Sequence, residues 1–146
     1  MKVSAKGDYA CRALLDLALN YDSQTPVHIT EIAERQGIPR KYLVQILILL
    51  KGAGLVKSKR GVEGGYMLSR PPVEITLGEV VRLVDGPILP LKCTMDDESA
   101  TCDRKPICGF HPIWESVRDS ISDIIDNLTY EDICKRTREK EQMYYI

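Results

Sequence analysis

The chain has 146 residues, which is enough for one compact domain or a small domain with an added oligomerisation helix, but not for a second catalytic domain. Hydrophobic residues at 44% and charged residues at 28% are typical of a soluble globular protein, and no apolar run could cross a bilayer, so no membrane association is expected. The N-terminal sequence does not resemble a signal peptide, which predicts a cytoplasmic protein whose five cysteines stay reduced.

The net charge of −1 hides an asymmetry between the two parts of the chain. Residues 1–60 carry ten Lys and Arg against five Asp and Glu, whereas residues 61–146 carry ten against sixteen. A basic N-terminal part favours binding of nucleic acid, although a solvated basic face is the more common origin of such an excess. Charge alone therefore only suggests a DNA-binding half.

Three helices are predicted before residue 52. Apolar residues recur at helical spacing over Tyr9–Leu19, and a short second helix over Ile29–Gln36 ends at Gly37. Pro39 lies where the first turn of a third helix accepts proline, and this helix continues to about Lys51. The turn at Gly37 places the second and third helices as a helix-turn-helix pair.

Two β-prone stretches follow, Leu55–Ser58 and Tyr66–Leu68, with a glycine-rich segment at 59–65 between them. Three helices and a hairpin form the pattern of a winged helix-turn-helix, in which one helix enters the major groove of DNA. A nucleotide-binding P-loop is excluded because the segment lacks the Lys-Ser/Thr ending and precedes a strand.

Candidate DNA contacts lie at the start of the third helix and on the hairpin. The helix offers side chains that reach phosphates and base edges. On the hairpin, Arg60 can enter the minor groove, and two glycines let the backbone approach the sugar-phosphate chain. The predicted DNA-binding set is Arg40, Lys41, Tyr42, Gln45, Lys59, Arg60, Gly64 and Gly65.

A long helix is predicted in the C-terminal part. A capping-box pattern at Thr76 first starts a short helix that reaches about Asp85. Residues 88–109 are irregular, and residues 111–128 then carry one continuous apolar stripe. A domain of this size has little surface to cover that stripe, so we expect the same helix of a second subunit to pack on it in a homodimer. Packing on its own domain is the alternative.

A short last helix is predicted to start at Thr129, and the apolar end at 143–146 is expected to dock on the body or on the partner subunit. The predicted fold class is mainly α with a small β-hairpin wing (α+β). Residues 1–86 form the winged helix-turn-helix domain with a linker helix, 87–110 the cysteine loop, and 111–146 the dimerisation helix and tail.

Cys93, Cys102, Cys108 and His111 have the spacing Cys-x8-Cys-x5-Cys-x2-His, directly before the long helix. Thiolates suit iron–sulfur clusters or zinc, and an imidazole can replace a thiolate in either site. The tight knuckles of structural zinc sites are missing, so the spacing favours the larger cofactor. A zinc site and bare redox-sensing thiols remain alternatives, and His111 can equally be a capping or solvent-exposed residue.

The remaining cysteines, Cys11 and Cys134, have apolar neighbours on helices and are predicted to be buried structural thiols. The sequence has no Cys-x-x-Cys pair and no other catalytic constellation, so an enzyme is not expected.

Several segments resemble the IscR/NsrR/CymR-like family of winged-helix transcriptional regulators. The matching segments are residues 1–7, 32–38, 53–56, 60–61, 64–66 and 75–80, and the resemblance covers nearly the whole chain. It implies a dimer with crossed long helices that binds a double-stranded DNA operator as a regulator or repressor. It also implies that a redox, iron or nitric oxide signal acts at a cluster in the loop.

The resemblance implies a 2Fe–2S cluster held by Cys93, Cys102, Cys108 and His111, as in IscR-like members. The first cysteine gap is longer here, and Asp8 lies where some NsrR-like members place a carboxylate ligand. Asp8 is therefore a rival fourth ligand, reaching across the dimer, with a 4Fe–4S cluster as the corresponding alternative. CymR-like members lack the cluster and end in a similar aromatic tail, so a cluster-free thiol sensor stays open. A zinc-stabilised interaction adaptor is a separate alternative.

Overall fold

The computed structural model describes residues 2–96 and 102–145. This part of the chain contains six α-helices and one two-stranded antiparallel sheet, which confirms the predicted mainly α fold with a small hairpin. The elements are α1 Ala5–Leu19, α2 Ile29–Gln36, α3 Arg40–Gly52, β1 Val56–Lys59, β2 Gly65–Leu68, α4 Leu77–Asp85, α5 His111–Asp126 and α6 Tyr130–Tyr144. Within it, no helix is both long and apolar enough to cross a membrane.

Helix α1 begins four residues before the apolar pattern because Ser4 caps it. The Ser4 hydroxyl accepts a hydrogen bond from the Gly7 amide at 2.9 Å. Asp85, at the end of α4, accepts from the Ser4 amide at 2.9 Å and also from the Ser4 hydroxyl. The start of α1 is therefore bound to the end of α4. The predicted apolar face of α1 is buried: Ala10, Ala13, Leu14, Leu17 and Ala18.

Helices α1 and α2 are joined by a buried carboxylate. Asp16 is 2% exposed and accepts from Arg35 Nε at 3.0 Å, from Arg35 Nη2 at 2.8 Å and from Gln36 Nε2 at 3.1 Å. Gly37 then ends α2 with a φ of +61°, a left-handed conformation that glycine adopts without strain. This geometry sets the turn into α3, whose inner side packs on the core through Leu43, Ile46, Leu47 and Leu50.

The hairpin is attached to the segment before α2 by a single antiparallel β-bridge. β1 pairs with β2 from Val56↔Leu68 to Lys59↔Gly65. Tyr66 exchanges two backbone hydrogen bonds with Val27, at 2.8 and 2.9 Å. Gly65 has a φ of +155°, and a Cβ atom there would collide with the Val27 carbonyl oxygen. Glycine at 65 is thus required by the pairing itself.

The C-terminal helices return to the body of the domain. The amide of Leu77, at the start of α4, donates to the Leu128 carbonyl at 2.9 Å, and the Tyr130 amide donates to the Ile75 carbonyl at 2.9 Å. Arg82 of α4 donates to both carboxylate oxygens of Asp126, at 2.5 and 2.9 Å. These bonds attach the C-terminal end of α5 to α4.

Helix α6 packs on α1 and has 15 residues, so the prediction of a short last helix was wrong. A capping box between Thr129 and Asp132 starts it. Its later turns are polar and lack the apolar stripe that marked α5. The apolar tail does not dock on its own domain, because Tyr144 and Tyr145 are each 85% exposed, and docking on the partner subunit stays a prediction.

Candidate nucleic-acid interface and cysteine loop

The predicted DNA-binding side chains of α3 lie on its exposed side. Arg40, Lys41, Tyr42 and Gln45 are all exposed. The Lys41 ammonium lies 5.1 Å from the centre of the Tyr42 ring, and this ring lies 6.4 Å from that of Tyr9 in α1. The buried side of α3 holds these residues on a rigid support, so several hydrogen-bond donors face outward together.

The start of α1 adds residues that the sequence did not single out. A cleft of about 510 Å³ separates it from α3 and is lined by Ser4, Ala5, Lys6, Tyr9, Tyr42, Gln45 and Ile46. Lys6 is exposed and Tyr9 half-buried. Their proximity to α3 arises from tertiary packing across more than thirty positions in the chain, which no local pattern reveals.

On the hairpin, Lys59 and Arg60 are exposed, as a DNA-contacting wing requires. Gly64 is buried, and a Cβ atom there would collide with the Lys59 carbonyl oxygen. A Cβ atom at Gly65 would likewise collide with Val27, so packing within the domain alone explains why both positions are glycine. Their approach to the sugar-phosphate chain stays a prediction.

The structure brings His111 and the Cys93 segment together. His111, the first residue of α5, is 6% exposed. Its Nε2 donates to the Cys93 carbonyl oxygen at 3.0 Å, and its Nδ1 lies 3.3 Å from the Glu115 carboxylate. Phe110, not His111, occupies the capping position. His111 therefore anchors the loop rather than capping the helix.

The thiols of the loop differ in exposure. Cys93 and Cys108 are half-buried and Cys102 is exposed. Within residues 2–96 and 102–145, no three cysteine, histidine or acidic side chains converge into a metal-binding group. Three thiols and an imidazole in one segment nevertheless have the donor chemistry of an iron–sulfur site. The donor set fits this cofactor by its chemistry.

Arg118 is a second anchor of the loop, and the sequence reasoning missed it. Its Nη1 donates to the Thr94 carbonyl at 2.5 Å and lies 3.0 Å from an Asp96 oxygen. The hydrogen bond from Nε to Asp119, at 2.8 Å, is the main reason why the pKa of Arg118 is raised. The partners at 94 and 96 are more than twenty positions away, so spacing offered no signal.

Asp8, the rival ligand, forms an ion pair with Arg12 at 2.9 Å. Arg12 also donates to the carbonyl of Gln36, at the end of α2. Asp8 borders a cavity of about 330 Å³ between α1, α4 and α5, which Cys11 and Ile121 also line. Asp8 therefore faces the α5 side of the domain, while its carboxylate is paired within its own subunit.

Of the two thiols outside the loop, only that of Cys134 is as buried as predicted. Cys134 is 3% exposed, as expected, whereas Cys11 is only half-buried. Burial raises the pKa of both thiols. The Tyr130 hydroxyl donates to the Cys11 carbonyl at 3.4 Å, and burial raises the pKa of Tyr130 well above 10. These groups are therefore protonated at neutral pH.

The apolar stripe of α5 is divided between two surroundings. Ile121 and Ile125 are half-buried and line the cavity against α4. Ile113 is 55% exposed and Ile124 is 68% exposed. Trp114 is also exposed. One edge of the stripe is thus covered by its own domain, and the other faces outward.

The helix-turn-helix, the hairpin and the exposed basic side of α3 define a winged-helix DNA-binding regulator. Residues 3–136 match Rrf2, a family described as an iron-dependent transcriptional regulator. The chain belongs to the Rrf2 family, which confirms the resemblance found in the sequence.

Relatives and solved structures agree with this assignment. The chain is 34% identical to the HTH-type transcriptional regulator CymR of Bacillus subtilis, over 100% of both chains. It is 38% identical to the HTH-type transcriptional regulator IscR of Vibrio campbellii, over 92% of this chain and 78% of that protein. T. potens IscR superposes with a TM-score of 0.77 at 36% identity, covering 99% of this chain and 97% of that one. These relatives are transcriptional regulators and not enzymes.

Proposed function

We propose that the protein is a homodimeric regulator that binds operator DNA through α3 and the hairpin, and that an iron–sulfur cluster in the cysteine loop controls this binding. The observation that carries the proposal is the attachment of the loop to α5. His111 and Arg118 hold the carbonyls of Cys93 and Thr94 against the N-terminal half of this helix. The predicted sensor segment is thereby joined to the predicted dimer element.

The DNA-binding half of the proposal is supported by charge and exposure. Arg40, Lys41, Lys59 and Arg60 are exposed and basic, and they lie on the two elements that contact DNA in winged helices. A two-fold dimer would present two copies of α3 to two half-sites of the operator. Arg60→Ala is expected to weaken operator binding, and unaltered affinity at moderate salt would contradict the role of the wing.

The homodimer is supported by the exposed edge of α5. Burial of several large apolar side chains in a subunit interface would remove them from water. Ile124→Glu places a charge in that interface and should convert a dimer into a monomer, as measured by sedimentation. Val73→Glu, at a 52% exposed position on another surface, is the control and should remain dimeric. A wild-type monomer, or a dimeric Ile124→Glu variant, would contradict the assignment.

Cys93, Cys102 and Cys108 would supply three thiolates, with His111 as fourth ligand of a 2Fe–2S cluster and Asp8 as the alternative in a 4Fe–4S site. When bound, the cluster supplies reversible electron exchange and sensitivity to oxidants, iron supply or nitric oxide. The chain itself would contribute a loop with two arrangements. In one, the cluster holds the cysteines; in the other, the loop is held only by the hydrogen bonds from His111 and Arg118. A signal changes DNA affinity only if DNA binding differs between these arrangements.

The proposal is tested on protein purified without oxygen. We expect visible charge-transfer absorption, bound iron and sulfide, and a DNA affinity that changes on oxidation. Cys102→Ala should abolish that change while the circular dichroism stays native, whereas Cys134→Ala, outside the loop, should retain it. A colourless, iron-free protein or an unchanged response of Cys102→Ala would refute the cluster mechanism.

A second candidate is thiol-based sensing without a cluster. Cys102 is exposed, and a solved relative is the oxidized form of Staphylococcus aureus CymR, with 30% identity and a TM-score of 0.70. That structure covers 92% of this chain. An iron-free protein whose DNA affinity still responds to oxidant would favour this candidate. Stoichiometric zinc without DNA binding would instead indicate an interaction adaptor.

A further inference from the structure

We infer that α3 recognises the methyl group of thymine through Ile48, with Val44 beside it. The inference rests on the proposed binding of DNA by α3 and specifies which chemical feature of the operator this helix reads. Ile48 is 65% exposed and Val44 is 39% exposed, although both lie on a helix whose other side is densely packed.

The position of these residues on the helix places them among the predicted base contacts. Residues 41, 44, 45 and 48 have the spacing i, i+3, i+4 and i+7, so Lys41, Val44, Gln45 and Ile48 share one face of α3. Helices that lie in the major groove present side chains to the bases at this same spacing. The buried side chains of α3 are all on the opposite side: Leu43, Ile46, Leu47 and Leu50. The core therefore does not need an isoleucine at 48.

The surroundings of Ile48 favour DNA as its partner. The charged residues of α3 are Arg40, Lys41 and Lys51, and the helix contains no acidic residue. An apolar strip bordered by cations fits a surface that is anionic at its edges and apolar inside. The major groove is such a surface, because phosphates line it and the C5 methyl group of thymine is the apolar feature among its base edges. A protein partner would have to be acidic around an apolar patch, and nothing in α3 favours it over DNA.

The expected size of the effect follows from the contact. Removal of one buried methyl group costs about 0.8 kcal/mol, which corresponds to about fourfold weaker binding. Cytosine has no C5 methyl group. At the base that contacts Ile48, the methyl contact should therefore add to any preference for thymine over cytosine that hydrogen bonds create. Lys41 and Gln45 keep their polar contacts in either case.

The experiment starts with full-length wild-type protein and a duplex selected from a random-sequence library. Each thymine of the selected half-site is replaced in turn by deoxyuridine, which removes the methyl group and keeps every hydrogen bond. Dissociation constants are measured by fluorescence anisotropy. We expect at least one position per half-site where the replacement weakens binding about fourfold.

The variants connect that thymine to the helix. Ile48→Ala should bind thymine and deoxyuridine duplexes equally, and Val44→Ala should reduce the difference. Val73→Ala, a matched exposed aliphatic position away from α3, should keep the wild-type difference. A selected site without a methyl-sensitive thymine, or a difference that persists in both α3 variants, overturns the inference while DNA binding stands. A selection that yields no preferred sequence refutes the proposed operator binding itself.

Discussion

The ion pair between Asp16 and Arg35 predicts unequal effects when either partner is removed. Asp16 is buried, while the Arg35 side chain is 45% exposed. Arg35→Ala leaves a buried carboxylate whose charge has lost its partner, with one amide bond from Gln36 remaining. Asp16→Ala instead releases a guanidinium that can regain water. Loss of the arginine should therefore destabilise the protein more than loss of the aspartate.

The magnitudes follow from burial. Stranding a buried charge costs about 3–5 kcal/mol, so Arg35→Ala should lie near the lower end of this range because Gln36 still donates to Asp16. Asp16→Ala removes charge-assisted hydrogen bonds and should cost about 2 kcal/mol. The hydrogen bonds to Asp16 also raise the pKa of Arg35 above its ordinary value.

The assay is urea unfolding monitored by circular dichroism at one fixed protein concentration, because association would make the stability depend on concentration. Lys135→Ala is the control, since its pair with Glu131 in α6 is 3.4 Å long and exposed at both side chains, and it should cost less than about 0.5 kcal/mol. If Asp16→Ala proves the more damaging change, or if both variants unfold like the wild type, the reasoning from burial is wrong.

Three further outcomes are expected. In native apo-protein at pH 7, iodoacetamide should modify exposed Cys102 first, while Cys134, which is buried and has a raised pKa, should react more slowly; equal rates by mass spectrometry would contradict this. Gly65→Ala should lower the free energy of unfolding by about 1–3 kcal/mol, because the backbone has a positive φ there and the added Cβ atom would collide with the Val27 carbonyl oxygen. An unchanged melting temperature would count against this. Arg82 lowers the pKa of Asp126, so this pair stabilises the fold above about pH 4 and loses its effect as the pH falls through the lowered pKa. Acid titration of Asp126→Asn should show a shallower loss of stability in that range than the wild type.

The sequence predicted the helix-turn-helix most accurately, and the reason is local. Helix α2 has the predicted bounds Ile29–Gln36, because its end is encoded by a glycine with a left-handed backbone. Helix α1 starts earlier than predicted because its first turn is polar and depends on the Ser4 cap. Helix α6 is longer than predicted because its surface carries charged side chains, such as the pair of Lys135 with Glu131, instead of an apolar stripe.

The cysteine loop shows what sequence patterns cannot provide. The spacing of the thiols and His111 was visible, but the bond from this ring to the Cys93 carbonyl was not. The roles of Arg118 and Arg82 depend on partners 22 to 44 positions away, which only tertiary packing brings close. Asp8 was identified as a rival ligand, yet its pairing with Arg12 follows from helical i,i+4 geometry that could have been read from the sequence.

The attachment of α5 to the domain has a mechanical consequence. The helix is fixed at its C-terminal end by Arg82 and by the backbone bonds around Tyr130, while its N-terminal end carries the cysteine loop. With 16 residues it is about 24 Å long, so a displacement of about 2 Å at His111 tilts it by only about 5° around Asp126. Because α5 is fixed at its C-terminal end, a displacement of the cysteine loop would therefore become a small rotation of the helix against α4. Because Ser4 binds the end of α4, the rotation would reach the first turn of α1, next to α3.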